Sequence, residues 1–391
     1  MVSDSSTRLP PTKPRLVYLV TEDWYFMSHR LPMALEAHRA GYDVHVITQV
    51  NKDGAAIEAL GFRLHPIVWR RGSISPFAFL TNLLSVRRLY RDITPDIAHH
   101  VGLQPSIVGS LAASGLACLR LNALAGLGFT FTSATAKARL MRPIFRALLR
   151  FVLRHPRAAV LVQNPDDRMA VSSLGVVAEK IFIIRGSGVE TDKLTPLPEP
   201  TGPVTAAFVG RLLDDKGIRT LVSAHEILTR RGAPVHLLIA GEPDPANPVS
   251  IPPDEIAAWS RHPGLELLGQ VAEIRNVWKA AHIAVLPSRR EGLPKSLLEA
   301  AACGRPIVAT DVPGCREIAR PDINALLVPP DDATALADAI DRLAGDADLR
   351  RRFGQAGRKI VENEFSAAQV GRETVALYRR LLEAVVPKTS R

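Results

Sequence analysis

Short apolar runs bounded by turn residues alternate along this chain with longer stretches whose apolar positions recur every three or four residues. A run of four to eight apolar residues reads as a strand covered on both faces, and the longer period as a helix laid against it. On this pattern strands are expected at residues 16–20, 44–48, 64–68, 97–101, 119–123, 159–162 and 181–184. Helices are expected at 29–40, 77–91, 138–154 and 165–174. The segment TPLPEPTGP, residues 195–203, interrupts the alternation and reads as a proline-rich linker. The alternation then resumes with strands at 206–209, 237–240, 265–268, 283–286, 307–309 and 325–328 and a helix at 218–230. Strands separated by crossover helices predict parallel sheets. A chain of 391 residues exceeds one ordinary core and fits two. The economical reading is α/β, two Rossmann-like domains facing across a cleft.

Charge separates the halves. Residues 1–195 hold 24 Lys and Arg against 14 Asp and Glu, whereas residues 196–391 hold 25 of each, so the whole net charge of +10 sits on the first half. That asymmetry implies an anionic partner: membrane, nucleic acid or a phosphate-bearing substrate. Within it, Arg139, Arg142, Arg146, Arg150, Arg154 and Arg157 recur at three or four residues, with Leu140, Ile144, Leu148, Phe151 and Val152 covering the remainder of the same helix. Like charges at that spacing weaken an isolated helix, so the stripe points to an anionic neighbour, and an anionic bilayer surface fits it. Arg70, Arg71, Arg87, Arg88 and Arg91 extend the same set, and a solvated arginine face is the plain alternative. Nucleic acid is a poor candidate, since no binding motif occurs and aromatics make up only 5% of the chain.

Cys118, Cys303 and Cys315 form no CxxC, which supports neither a disulfide framework nor a zinc site and suits reduced cytoplasmic thiols. The opening MVSDSSTRLPPTKPRL lacks the apolar core of a signal peptide. Residues 101–119 are uncharged until their end, yet Gln104, Pro105 and many small residues make strand, turn and buried helix a better account than a membrane span.

The richest chemistry lies in LPSRREGLPKSLLEAAACGRPIVATDVPG, residues 286–314, where Glu291 and Glu299 stand with seven residues between them. Gly292 permits close backbone approach or positive φ, and Pro294 suits the first position of a helix. The helix start presents unpaired N–H groups near Leu293, where a phosphate binds. One turn in, Glu299 is placed to accept hydrogen bonds from a ribose diol. Upstream, the strand at 206–209 delivers Gly210 and Arg211 to its carboxyl edge, with Lys216 at the mouth of the next helix. A forked guanidinium and a mobile ammonium at that spacing suit a nucleotide diphosphate.

These segments resemble the Glu-x7-Glu signature of the retaining GT-B glycosyltransferases of glycosyltransferase family 4. The resemblance continues in FVGRLLDDKG (208–217), LIAGE (238–242) and NALLVPPDD (324–332) and covers nearly the whole chain. WYFMSHRLPMALEAHRAGYDVHVIT, at the N-terminal end, is similar to the subgroup that builds bacterial surface polysaccharides on lipid carriers. The resemblance implies a GT-B fold: an acceptor-binding domain at 1–195, a linker at 196–203, a nucleotide-sugar-binding domain at 204–365, and a helix at 366–391 crossing back. It implies transfer of a hexose or N-acetylhexosamine from a UDP-sugar, with retention and without a bound metal or cofactor, to a polyprenyl-diphosphate-linked sugar. Glu291 would contact the transferred sugar, Glu299 the ribose, and Arg211 and Lys216 the diphosphate; Gly210, Gly292, Leu293 and Pro294 complete the donor site. Asp214-Asp215 and Asp331-Asp332 are expected as capping or solvated pairs rather than metal ligands. Location is expected to be cytoplasmic, on the inner face of the membrane.

The first half departs from the common family pattern. Thr21-Glu22-Asp23-Trp24-Tyr25 stands where many relatives have Gly-Gly, His99-His100-Val101 replaces His-x-His, and Ala125 replaces a histidine. Ser28-His29-Arg30, His99-His100, Asn122 and Gln163-Asn164 form the subgroup's own set, expected after strands on the cleft side. His29 and His100 are the candidate catalytic histidines there, against the common alternative of structural histidines. Arg30 is either an acceptor-phosphate ligand or a helix-surface charge. Two other readings share the fold: a sugar-nucleotide isomerase of the UDP-N-acetylglucosamine 2-epimerase type, and a non-catalytic UDP-sugar-binding pseudo-transferase.

Overall fold

Runs of Val, Ile, Leu and Ala too short for a helix become strands covered on both faces in the computed structural model, which describes residues 13–69, 76–124, 136–233, 235–245 and 247–384. The first sheet contains β1 (Arg15–Glu22), β2 (Asp43–Gln49), β3 (Arg63–Pro66), β4 (Ile97–Val101), β5 (Leu119–Ala123), β6 (Ala158–Val162) and β7 (Ile181–Ile183). Its order is β3-β2-β1-β4-β5-β6-β7. The second contains β8 (Thr205–Val209), β9 (His236–Ala240), β10 (Leu265–Gly269), β11 (Ile283–Leu286), β12 (Ile307–Thr310) and β13 (Ala325–Val328), ordered β10-β9-β8-β11-β12-β13. Neighbouring strands pair in parallel in both sheets. In each, the strand order reverses beside the first strand, between β1 and β4 and between β8 and β11. Crossovers leave such a point in opposite directions and open a crevice at the carboxyl ends. Every residue of β4, β5, β6, β11 and β12 is buried, including the polar His99, His100, Arg120, Asn122 and Thr310 that lie among their apolar positions.

The proline-rich segment is a strap on the second domain. Leu197 N–H donates to Cys303 O at 3.1 Å, Arg305 Nη2 to Pro198 O at 2.7 Å, and His282 Nε2 meets Pro200 O at 3.1 Å. The chain returns to the first domain at its end. After the Ala347–Glu364 helix, Val189 N–H donates to Phe365 O at 2.9 Å and Ala367 N–H to Val189 O at 2.8 Å. The following helix, Ala367–Glu383, lies against Leu31–Arg39 of the first domain. Gly371 makes that approach possible, since a Cβ there would sit 3.0 Å from Glu36 Cβ and 3.3 Å from Pro32 O. Deeper in, the Tyr378 hydroxyl meets Tyr18 Oη at 2.8 Å and His99 Nδ1 at 2.6 Å, all fully buried. Burial pushes both phenols up, so they stay protonated as hydrogen-bond donors.

The helix expected at 29–40 spans Leu31–Arg39, and an unexpected helix, Asp23–His29, precedes it, the two broken at Arg30. Pro32 is the cause: it has no N–H to give Ser28 O, four residues back, and its ring crowds that carbonyl. The helix expected at 138–154 spans Ala136–Leu153, and Pro143 stands within it.

Tyr378→Phe should cost the fold about 1–3 kcal/mol, because Tyr18 and His99 would each lose a buried partner. Urea unfolding followed by circular dichroism checks this; unchanged stability would mean that the hydroxyl network contributes nothing to docking the last helix.

Candidate active site at the crevice of the second domain

Two loops meet at the second switch point, one leaving β8 and one leaving β11. Gly217 brings them together: at φ 68° its ideal Cβ would lie 2.0 Å from Pro287 O, so only a glycine lets the turn after Lys216 press against the end of β11. Lys216 Nζ then donates to Glu291 Oε1 at 2.6 Å, and Ser288 Oγ donates to the same oxygen at 2.7 Å. The Glu291 side chain is 9% exposed and that of Lys216 24%, a pair sheltered from bulk water yet open to the crevice. Gly314 supports the loop from behind, since a Cβ there would fall 2.5 Å from the carbonyl oxygens of both Glu291 and Gly292.

Gly210 and Arg211 follow β8 against Gly241, whose added Cβ would come within 1.8 Å of Gly210 O. Arg211 Nη1 donates to Asp244 Oδ2 at 2.6 Å. Arg289 straps the two loops further out: its N–H donates to Asp215 O at 2.9 Å, its Nη1 to Asp214 Oδ2 at 2.6 Å and its Nε to Asp331 Oδ1 at 2.7 Å. Burial opposes ionisation of Asp214, but the Arg289 and Arg219 guanidiniums win and hold its carboxyl below the ordinary range. Asp214 and Asp331 are therefore arginine partners. Among the described residues no group of three His, Cys, Asp or Glu side chains is placed to hold a metal ion.

Pro294 stands one place earlier than expected, at the N-cap of the Lys295–Ala302 helix with φ −75° and ψ 112°. The first N–H groups of that helix have no intrahelical acceptor and lie beside Leu293 at the mouth of the crevice. Glu299 sits one turn in, its side chain 12% exposed and 3.6 Å from Lys295 Nζ. Burial raises its carboxyl pKa, with Lys295 pulling the other way. It borders an interdomain cavity of about 470 Å³ shared with Ser28, Thr191, Arg275 and Ala367.

Ser28 and His29 are among the first-domain residues that reach toward this site. Ser28 O, denied a helical partner by Pro32, accepts from Lys295 Nζ at 3.0 Å. His29 Nδ1 lies 2.5 Å from Ser28 Oγ, and its ring stacks on Tyr25 at 4.2 Å. Burial, and then the positive charges of Arg30, Lys295, Arg211 and Lys216, push His29 down to about 3. His29 therefore stays neutral at ordinary pH.

His100 is elsewhere. It lies inside β4 rather than after it, fully buried, with Nδ1 2.9 Å from Asn122 Oδ1 and Nε2 3.0 Å from Tyr90 Oη. Both ring nitrogens are engaged in the core, so the candidate catalytic role is corrected to a structural one; Asn122 shares that core place, and His99 serves the last helix. Arg30 is not a surface charge either, being 2% exposed with Nη1 directed at His29 O, 3.3 Å away. Ala125 lies outside the described residues. Sequence reasoning gave no role to Ser288 and Lys295, which lie inside the 286–314 segment, to Asp244, two residues past LIAGE, or to Asp23. The Asp23 carboxylate accepts the N–H groups of Asn51, Lys52 and Asp53 and so fixes the loop after β2.

Residues 203–346 match the family described as Glycosyl transferases group 1, and residues 15–156 match Glycosyl transferase 4-like. The capsular polysaccharide biosynthesis glycosyltransferase CapM of Staphylococcus aureus is 23% identical over 352 residues, covering 87% of this chain and 90% of that one. The N,N'-diacetylbacillosaminyl-diphospho-undecaprenol alpha-1,3-N-acetylgalactosaminyltransferase of Campylobacter jejuni is 24% identical over 383 residues, covering 92% and 99%. Among solved structures, HepE of Anabaena in complex with UDP superposes with a TM-score of 0.76 at 15% identity, covering 94% of this chain and all of that one. The pairing of two parallel-sheet Rossmann-like domains is the GT-B fold.

Glu299→Gln should raise the melting temperature at pH 8 and leave it nearly unchanged at pH 4. A carboxyl with a raised folded-state pKa favours the folded chain when protonated, and that advantage is lost as pH rises through its folded pKa. Calorimetry at the two pH values checks the sign; a fall in melting temperature at pH 8 would show that the Lys295 attraction outweighs burial.

Proposed function

We propose that the chain, with a glycosyl transferase 4-like segment ahead of a glycosyl transferases group 1 segment on the GT-B fold, is a glycosyltransferase that moves a hexose or N-acetylhexosamine from a UDP-sugar to a lipid-diphosphate-linked sugar in surface polysaccharide assembly. The observation that carries this reading is the Lys216–Glu291 pair at the β8/β11 switch point, with Arg211 on the same edge and a helix N-terminus opposite. Cations and N–H dipoles there suit a diphosphate, and Glu291 stands where the attached sugar would project. The relatives from Staphylococcus and Campylobacter support polysaccharide assembly and a lipid-linked acceptor, and the UDP-bound neighbour supports the nucleotide.

In the reaction as proposed, an acceptor hydroxyl oxygen bonds to the anomeric carbon as the bond from that carbon to the phosphate oxygen breaks. The acceptor's proton passes to a donor phosphate oxygen on the same face, so configuration is retained and UDP leaves. Arg211 and Lys216 stabilise the negative charge that grows on the departing diphosphate and would supply this without a resident metal. Binding releases Lys216 from Glu291 toward phosphate, which frees the carboxylate for sugar hydroxyls. Glu299 holds the ribose diol. His29, neutral and within the field of the same cations, serves as a hydrogen-bond partner rather than a charged acid.

Membrane docking completes the proposal. Arg146, Arg150 and Arg154 are exposed on the Ala136–Leu153 helix and the turn after it, Phe151 is 68% exposed, and Leu149, Val152 and Leu153 face the core. Arginines around an exposed aromatic suit an anionic bilayer, where the acceptor's lipid would be. The side chains of Arg139 and Arg142, and the pair Arg70-Arg71, lie outside the described residues. No helix among the described residues is long and apolar enough to cross a membrane.

A thermal-shift series with UDP, GDP, ADP and their sugars, each with and without EDTA, tests the donor. UDP compounds should stabilise the protein equally in both conditions; a response to GDP or ADP alone overturns the nucleotide, and loss with EDTA overturns metal independence. Lys216→Ala and Glu299→Ala should each weaken UDP binding roughly 10- to 100-fold, the worth of a hydrogen bond to a charged group. Glu291→Ala should instead lower turnover while UDP affinity stays within a few fold, checked by calorimetry beside a transfer assay. In vesicle sedimentation the triple change Arg142→Ser, Arg146→Ser and Arg150→Ser should release the protein from anionic liposomes, and unchanged binding would remove the arginine helix from the membrane surface.

A further inference from the structure

Asn164, directly after β6, is 1% exposed and spends its amide in two directions. Its Oδ1 accepts from Asp167 N–H at 2.7 Å and caps the Pro165–Ser173 helix. Its Nδ2 donates across the crevice to Gly292 O at 3.0 Å and lies 3.2 Å from Asp167 Oδ2. One side chain thus ties the start of a first-domain helix to the glycine carbonyl between Glu291 and Leu293. A second contact stands beside it. Gly186, after β7 at φ 67°, would place a Cβ 2.5 Å from Leu293 Cδ2, so Leu293 seats against bare first-domain backbone. Gly314 of the second domain backs the same loop from the other side.

The geometry points to Asn164 as a positioning residue through which the first domain sets the shape of the loop Glu291-Gly292-Leu293. This deepens the transferase reading and rests on it for the catalytic readout alone. The loop carries the sugar-facing carboxylate at one end and a phosphate-facing N–H at the other, with the most permissive residue, glycine, between them. Among the described residues, one hydrogen bond and one apolar contact hold it to the first domain, and both exist only while the domains are together. Closure therefore aligns Glu291 with the bound sugar nucleotide, and separation relaxes it, so sugar is released to an acceptor rather than to water.

Two variants separate this role from helix capping. Asn164→Asp and Asn164→Ser both keep a capping oxygen for Asp167 N–H, and neither has an amide to give Gly292 O. Hydrogen exchange on the full chain should show amides of residues 290–293 exchanging about fivefold faster in both variants, the worth of one hydrogen bond, while residues 166–173 keep their protection. With a UDP-sugar that wild type uses, kcat should fall roughly tenfold with UDP affinity within about twofold. Unchanged exchange at 290–293, or an equal loss of protection at 166–173, overturns the proposal. So does a loss of UDP affinity in place of kcat. If wild type transfers no sugar, the transferase reading fails while the exchange comparison, which needs no substrate, still decides the role of Asn164.

Discussion

The contact between Gly217 and the carbonyl of Pro287 is the constraint on which the second-domain site depends. A parallel sheet carries two successive crossovers in opposite directions from β8 and β11, which leaves a gap between the loops that follow them. The gap becomes a site only if those loops approach to side-chain reach. Gly217 removes the Cβ that would collide with Pro287 O, and the ammonium of Lys216 thereby arrives within 2.6 Å of Glu291. Gly241 and Gly314 do the same on either flank, one letting Gly210-Arg211 settle, the other letting Glu291-Gly292 settle. Three bare backbones, each pressed against a carbonyl, make one rigid edge. Placing charge on that edge is affordable because each charge has a partner: Lys216 with Glu291, Arg211 with Asp244, Arg289 with Asp214 and Asp331.

A proline organises the other side of the crevice by what it lacks. Pro32 breaks the first helix at Arg30 and leaves Ser28 O without a helical donor. An orphaned carbonyl at a helix end needs a partner, and the partner is Lys295 of the second domain, one turn before Glu299. The same break leaves His29 at a helix end beside the second domain's cations, where it is held neutral. Local backbone chemistry in one domain thus becomes an interdomain contact. At the far end of the chain the last helix fastens the second domain back onto the first through Gly371 and the Tyr378 hydroxyl, so the two faces of the crevice are joined by covalent structure at both the strap and the return.

The first domain puts its charge excess to a different use from the second. Arg120 donates to Ala113 O in the interior, and Arg87 donates to Ala112 O and Ser114 O, so part of the excess is structural. Arg146, Arg150 and Arg154 remain exposed, and none has a carboxylate partner among the described ion pairs. A net count of charge cannot make that distinction. It depends on which carbonyls happen to lie within reach of each guanidinium.

Much of the fold was legible because strand and helix leave different periods in the sequence. Residues 97–101, 119–123, 283–286 and 325–328 are strands with the expected bounds, since a short run rich in apolar residues, too brief for a helix, is taken up by a parallel sheet covered on both faces. Lys216 and Glu291 are brought together in space, and Glu299 is placed one turn into its helix, because glycine spacing and helix starts are local properties. Less was legible where a residue's role depends on what packs over it. His99 and His100 look alike in sequence, and only the packing decides what each meets, with Tyr378, from 279 residues away, claiming one of them. Arg30 reads as a surface charge until the break at Pro32 turns it inward. The sequence by itself determined the two sheets, their order of elements and the chemistry offered at the crevice, since these follow from periodicity and from turn residues. The tertiary structure alone decided which histidine faces the crevice and how the first domain grips the loop at Gly292, because both depend on contacts between segments more than a hundred residues apart that no local pattern records.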